Sequence, residues 1–199
     1  MLNYQQIVTK GHSMCSQPYL SKILDSHQVP WKTWGTGQSL TINNLAEQLS
    51  TGECELHLNE NNQLIRVVFG VTILIYCTYQ GQRYRLIEEK QIFSDGRVRE
   101  RGNTDYSVGE KKKRGEAPIT VARRALAEEL GITEYFDLNF RYVEERVKGP
   151  IESKSFPGLL TEFISQHYTL ELPIRFFNPG GYIEVQMEKN CYFVWVKEN

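Results

Sequence analysis

Between Leu64 and Tyr79 the chain reads LIRVVFGVTILIYCTY, a run dominated by β-branched and aromatic side chains. Such a run suits a strand whose two faces are both covered by other parts of a fold. Its most apolar part, Val67 to Cys77, contains Gly70 and Thr72 and is shorter than the roughly 20 residues a membrane-crossing helix needs. The chain must therefore build a sheet around it. Just before it, Cys54, Leu56 and Leu58 alternate with polar residues, and Asn59 to Asn62 makes a turn. Just after it, Tyr79-Gln-Gly-Gln82 is a hairpin turn into Arg83 to Phe93, with a second turn at Ser94-Asp-Gly96. Further strands are predicted over Leu138 to Lys148, Gly158 to Leu172, Gly181 to Met187 and Cys191 to Lys197, with Pro150, Pro157, Pro173 and Pro179 in the gaps. The Gly158 to Leu172 run leaves a helical start open.

One clear helix divides the strands. Pro118 suits a first helical turn, Glu116 suits the positive end, and Gly131 is a natural stop after Leu130, which predicts a helix over 118–130. Val121, Ala125, Leu126 and Leu130 give it an apolar stripe, and Arg124 and Glu128 are i, i+4 neighbours. Strands on both sides of one helix indicate an α+β fold with a mixed sheet. Ahead of it, a short helix is expected within residues 16–29, a packed loop at WKTWGTGQ, and a second helix capped by Thr41 and ending near Gly52. This divides the chain into an N-terminal accessory segment over 1–60 and a main domain over 61–199.

The 199 residues allow one substantial core plus an extension. A formal net charge of −1 excludes a whole-molecule field that would draw the chain onto nucleic acid or an anionic membrane. Cys15, Cys54, Cys77 and Cys191 form no C-x-x-C pair and no zinc-finger spacing, and read as free thiols in a reducing compartment. With no apolar h-region near the N-terminus, the expected location is cytoplasmic, without a membrane anchor. His12, His27, His57 and His167 fall in unrelated contexts, none beside a Ser or Cys in a nucleophile setting, which argues against a triad enzyme.

The helix and its approaches read GEKKKRGEAPITVARRALAEELGI from Gly109 to Ile132. Glu116, Arg124, Glu128, Glu129 and Gly131, with aliphatic Leu126 and Ile132, fit a pattern that resembles the Nudix box, G-x5-E-x7-R-E-U-x-E-E-x-G-U, U being a bulky aliphatic residue. Seven of its nine specified positions match. The first Gly falls on Glu110, a mild departure, because in the family that position resembles a metal ligand through its backbone carbonyl. The Glu after the Arg falls on Ala125, and that departure removes a carboxylate one helical turn before Glu129.

The resemblance implies a Nudix-like α/β/α sandwich with a mixed β-sheet, here with an N-terminal helical extension. It also implies hydrolysis of a phosphoanhydride in a nucleoside diphosphate linked to another group, with Mg²⁺ or Mn²⁺ neutralising phosphate charge and positioning water. Hard divalent cations want oxygen ligands, so carboxylates one turn apart suit them. Glu128 and Glu129 are the expected metal ligands, joined by Glu110; Glu116 and Arg124 complete the expected catalytic set, with no base assigned. Glu184 or Glu188 could add a carboxylate from a later loop. Lys111, Lys113 and Arg114 lead into a helix N-terminus and Arg99 alternates with Arg97 and Arg101, so these cations are candidates to meet a diphosphate, against a plain solvated surface. The alternative function is a catalytically silent Nudix-like module that binds a nucleotide or a protein, favoured by Ala125. Trp31, Trp34 and Trp195 read as core or domain-contact residues, with stacking on a nucleobase the less favoured reading. For the first 60 residues three roles stay open: packing on the main domain, covering its pocket, or building a homodimer.

Overall fold

A computed structural model of the chain describes residues 5–8, 16–37, 39–102, 105–135 and 137–198. Its elements are strand β1 (Gln5–Val8), helices α1 (Gln17–Ser26) and α2 (Ile42–Thr51), strands β2 (Cys54–Leu58), β3 (Leu64–Tyr79), β4 (Gln82–Phe93), β5 (Val98–Glu100) and β6 (Val108–Lys111), helix α3 (Pro118–Leu130), and strands β7 (Arg141–Glu152), β8 (Leu160–Glu171), β9 (Tyr182–Val185) and β10 (Lys189–Lys197). The fold is α+β, as expected. Gly158 to Leu172 resolves into strand β8, with no helical start. Pro150, expected in a gap, lies within β7; this strand pairs with β8 alone among the described strands, and an edge position tolerates a residue without an N–H. His12 and Cys15 lie outside the described residues.

Against an expected boundary near residue 60, the chain divides into two compact units that interleave in sequence. The first comprises residues 1–69, 111–115 and 146–165. Here β2 pairs antiparallel with β1 and with the start of β3, in register Cys54↔Val68 to Leu58↔Leu64. Helix α2 is held by a reciprocal cap, in which Thr41 Oγ1 accepts from the Asn44 N–H and the Asn44 side chain accepts from the Thr41 N–H. Leu20, Leu24, Leu45, Leu56 and Phe156 are fully buried in this unit's core, where Trp34 packs 5.1 Å from Phe156.

The second unit comprises residues 70–110, 116–145 and 166–199. Its antiparallel ladder joins β3 to β4, β4 to β10 and β10 to β9, and β5 adds to β4. Val71, Ile73, Ile75 and Cys77 alternate along β3 and are buried with Val121, Ala122, Ala125, Leu126 and Leu130 of α3 in one core. The alternation of β3 and the stripe on α3 are two periodicities, 2.0 and 3.6, that meet face to face. Cys54, Cys77 and Cys191 are free thiols, all buried. Among the described residues no helix is long and apolar enough to cross a membrane.

Candidate active site

Helix α3 runs over the predicted residues, from Pro118 to Leu130. Gly131 closes it in the left-handed region at φ 68°, where a side chain is strained, and the N–H groups of Gly131 and Ile132 satisfy the carbonyls of Ala127 and Leu126. Arg124 reaches back from mid-helix to Glu116 through two contacts, Nη1 to Oε1 at 2.8 Å and Nη2 to Oε2 at 3.3 Å. This fork-on-carboxylate pair ties the segment ahead of the helix to its second turn. Ala125 is fully buried in the core. The position where the box would hold a carboxylate is sealed among apolar side chains.

One turn after Ala125, Glu129 enters a pocket of about 210 Å³ contained in the second unit. Four carboxylates line it: Glu88 from β4, Glu110 from β6, Glu129 from α3 and Glu184 from β9. Arg101 and Lys189 are its cations, and Gln91, Tyr106 and Cys191 are among its neutral members. Glu129 Oε1 accepts from the Gly109 N–H at 3.1 Å. A Cβ at Gly109 would stand 3.1 Å from the Tyr106 ring and 3.2 Å from the Thr72 methyl, so glycine lets this strand lie close to its neighbours. Glu88 is clamped on both oxygens, by Gln91 Nε2 at 2.6 Å and Arg101 Nε at 2.9 Å. The Arg101 backbone N–H donates to the Glu89 carbonyl at 2.8 Å, which fixes the arginine from both ends.

This charge distribution perturbs the pocket's titration. Burial, followed by the charges of Glu184, Glu110 and Glu88, pushes the Glu129 carboxyl up to about 9, with the Gly109 N–H opposing. Burial likewise drives the Cys191 thiol up to about 12, with its hydrogen bond to Glu184 and the nearby carboxylates reinforcing the shift, so it is a protonated, unreactive thiol. Burial works against the charge on Arg101, but its contacts with Glu88 and Tyr106 outweigh that and hold it above the ordinary arginine value.

The expected site residues are distributed unevenly. Glu129 and Glu110 line the pocket, as does Glu184, whereas Glu128 and Glu188 are exposed and do not. Glu116 and Arg124 are paired to each other away from its lining. Of the expected diphosphate-binding cations, Lys111 Nζ stands 3.3 Å from Glu53 and Arg114 Nη2 2.5 Å from Glu55 in the first unit, Lys113 is exposed, and the Arg99 guanidinium lies 5.1 Å over the Phe93 ring. None of the four lines the pocket. Arg101, grouped in sequence with Arg97 and Arg99, does. Glu88 and Gln91 are pocket residues that sequence reasoning missed: they sit in the polar stretch Glu88-Glu-Lys-Gln91, where nothing in the sequence separates these two buried residues from their neighbours Glu89 and Lys90.

Among the described residues no three His, Cys, Asp or Glu side chains stand close enough together to hold a metal ion by themselves. The donor chemistry still suits Mg²⁺ or Mn²⁺. Such hard cations take one or two carboxylates and fill their other positions with waters, neutral oxygens and substrate phosphate. A divalent ion would displace the proton that Glu129, crowded by Glu184 and Glu110, otherwise holds, and would offset the charge so exposed.

No known family's sequence profile matches the chain, and no curated protein sequence matches it. Among solved structures, it is similar to the NUDIX domain of Shewanella oneidensis NrtR complexed with ADP ribose, at 9% identity and TM-score 0.40 over 65% of this chain and 71% of that one. It is also similar to the C. elegans Ap4A hydrolase, at 17% identity and TM-score 0.37 over 63% of this chain and 80% of that one. A third is the E. coli dihydroneopterin triphosphate pyrophosphohydrolase, at 16% identity and TM-score 0.40 over 64% and 79%. Likeness at this level leaves the reaction to be argued from the pocket.

Proposed function

We propose that this chain is a Nudix-like, divalent-metal-dependent hydrolase that cleaves a phosphoanhydride in a nucleoside diphosphate derivative. The observation that carries the reading is Glu129, a half-buried carboxylate at the box position, converging with Glu110 and Glu184 on one pocket. In this reading Glu129 and one further carboxylate, Glu110 or Glu184, would hold Mg²⁺ or Mn²⁺, with water and neutral oxygens completing the set, and the exposed Glu128 is given no ligand role. The bound ion would supply charge neutralisation for phosphate and a site for water. The chain's own residues do the rest. Arg101 and Lys189 present positive charge to an anionic substrate in a pocket otherwise lined by carboxylates, the Gly109 N–H orients Glu129, and the Glu116–Arg124 pair holds the approach to α3.

A second reading, a catalytically silent module that binds a nucleotide, is favoured by one specific observation: Ala125 is sealed in the core, so the box carboxylate is absent and its place filled. The two readings part on one experiment. The hydrolase reading expects Mn²⁺- or Mg²⁺-dependent release of a nucleotide product from a panel of ADP-ribose, NADH, dinucleoside polyphosphates and nucleoside triphosphates, abolished by Glu129→Gln. Absence of turnover across the panel, with thermal stabilisation by one of those compounds in the absence of metal, selects the binding module.

A further inference from the structure

Gln91 is 6% exposed, on β4, and lines the acidic pocket. Its Nε2 donates to Glu88 Oε1 at 2.6 Å, and Glu88 is itself fixed by Arg101 Nε at 2.9 Å. That chain of contacts settles which way the amide faces, since an acceptor carboxylate requires the NH₂ end. The other end, Oε1, is buried and has no hydrogen-bond partner among the described residues. A buried acceptor left unsatisfied is costly, and groups of this kind are satisfied in nearly all folded proteins. Gln91 Oε1 therefore marks a position where a donor or a cation belongs.

The surroundings decide between the two. The pocket that Gln91 lines also holds Glu110, Glu129 and Glu184, a donor set for a hard cation, yet no three acidic, His or Cys side chains there suffice by themselves. A cation bound by one or two carboxylates still needs neutral oxygens, and amide carbonyls are ordinary ligands for such ions. An amide oxygen adds a ligand without adding to the like-charge crowding around Glu129. We infer that Gln91, held by Glu88 and Arg101, supplies a neutral oxygen ligand to a divalent cation bound in this pocket alongside Glu129. Glu88 and Arg101 act through Gln91 as positioning residues.

The inference rests on the pocket being a cation site, and the test separates the two claims. Mn²⁺ binding to the full chain is measured by titration calorimetry, with melting in the absence of metal as the check on folding. Gln91→Leu is expected to weaken Mn²⁺ about tenfold or more, whereas Gln91→Glu, which keeps an oxygen but loses the donor to Glu88, is expected to bind far better than Gln91→Leu. Equal weakening in both variants would mean that Gln91 matters only as a donor to Glu88, and would overturn the inference. In crystals of the unsubstituted protein soaked with Mn²⁺, the anomalous peak is expected within coordination distance of Gln91 Oε1, about 2.6 Å or less; a peak elsewhere in the pocket overturns the inference whatever the variants do. Mn²⁺ binding that Glu129→Gln removes and Gln91→Leu leaves unchanged also overturns it while the cation site stands. No Mn²⁺ binding by the unsubstituted protein overturns both.

Discussion

Glu129 and Ala125 stand four residues apart on one helix and meet opposite environments, and each makes a prediction. The Glu129 carboxyl is raised to about 9 by burial and by Glu184, Glu110 and Glu88, so the folded state holds its proton more tightly than the unfolded chain does. The associated stability is full below the ordinary carboxylate range and is lost as pH rises toward 9. Glutamine cannot ionise and its oxygen can still accept from Gly109. Glu129→Gln is therefore expected to melt higher than the unsubstituted protein in EDTA at about pH 8, by roughly 2–4 °C for each kcal/mol relieved, with the difference shrinking toward about pH 5; an unchanged or lower melting point at pH 8 contradicts the charge crowding. Ala125→Glu runs the other way. Its site is fully buried in the core, so the added carboxylate overpacks the core at a cost of about 1–3 kcal/mol and must be desolvated as well. A lower melting point is expected, and an unchanged one would mean that the new side chain reaches the pocket. The sequence showed that a carboxylate was absent at 125. It also set Ala125 in the apolar stripe with Val121, Leu126 and Leu130, which the structure buries in one core; it could not show which strands pack against that stripe.

Element α3 was legible to the residue, because its two ends are punctuated by residues with one physical meaning each: Pro118 in the first turn and Gly131 at a left-handed stop. Strand β7 was not. It was expected over Leu138 to Lys148 and lies over Arg141–Glu152. Nearly every residue in it is exposed, so there is no in-out alternation to read, while Leu138, which lent the predicted strand its apolar start, is buried in the core ahead of it. Glu88 and Gln91 show the same limit on β4: the flanking turns identified the strand, but a buried polar residue becomes a pocket residue only through what the other elements bring beside it. For α3 the end signal can be tested directly. Gly131→Ala forces a Cβ into φ 68°, and an Ala placed in that region destabilises by more than the 0.4–1 kcal/mol it gains where the backbone suits it. A fall in the denaturation midpoint with unchanged m-value is expected; no fall would mean that the helix end relaxes without strain.

At the scale of the whole molecule, sequence order hid the organisation. Strands β3, β6, β7 and β8 each contribute residues to both units, and Lys111 to Gly115 belongs to the first unit although it sits between stretches of the second. A linear reading assigns such a loop to its sequence neighbours, which sets Lys111, Lys113 and Arg114 before the helix N-terminus as candidates to meet a phosphate, against a solvated loop. In the structure two of these cations are answered inside the first unit, Lys111 by Glu53 and Arg114 by Glu55. With these two cations engaged and a formal net charge of −1, weak duplex binding is the expectation. Non-specific duplex binders hold DNA at about 10⁻⁴ to 10⁻⁶ M through several Lys and Arg contacts. This chain is expected to leave a labelled duplex unshifted at protein concentrations up to about 10⁻⁴ M at physiological salt. Retardation that weakens steeply with added salt would show instead that the basic run leaves Glu53 and Glu55 to meet phosphate, and Glu55→Gln would then be expected to strengthen it.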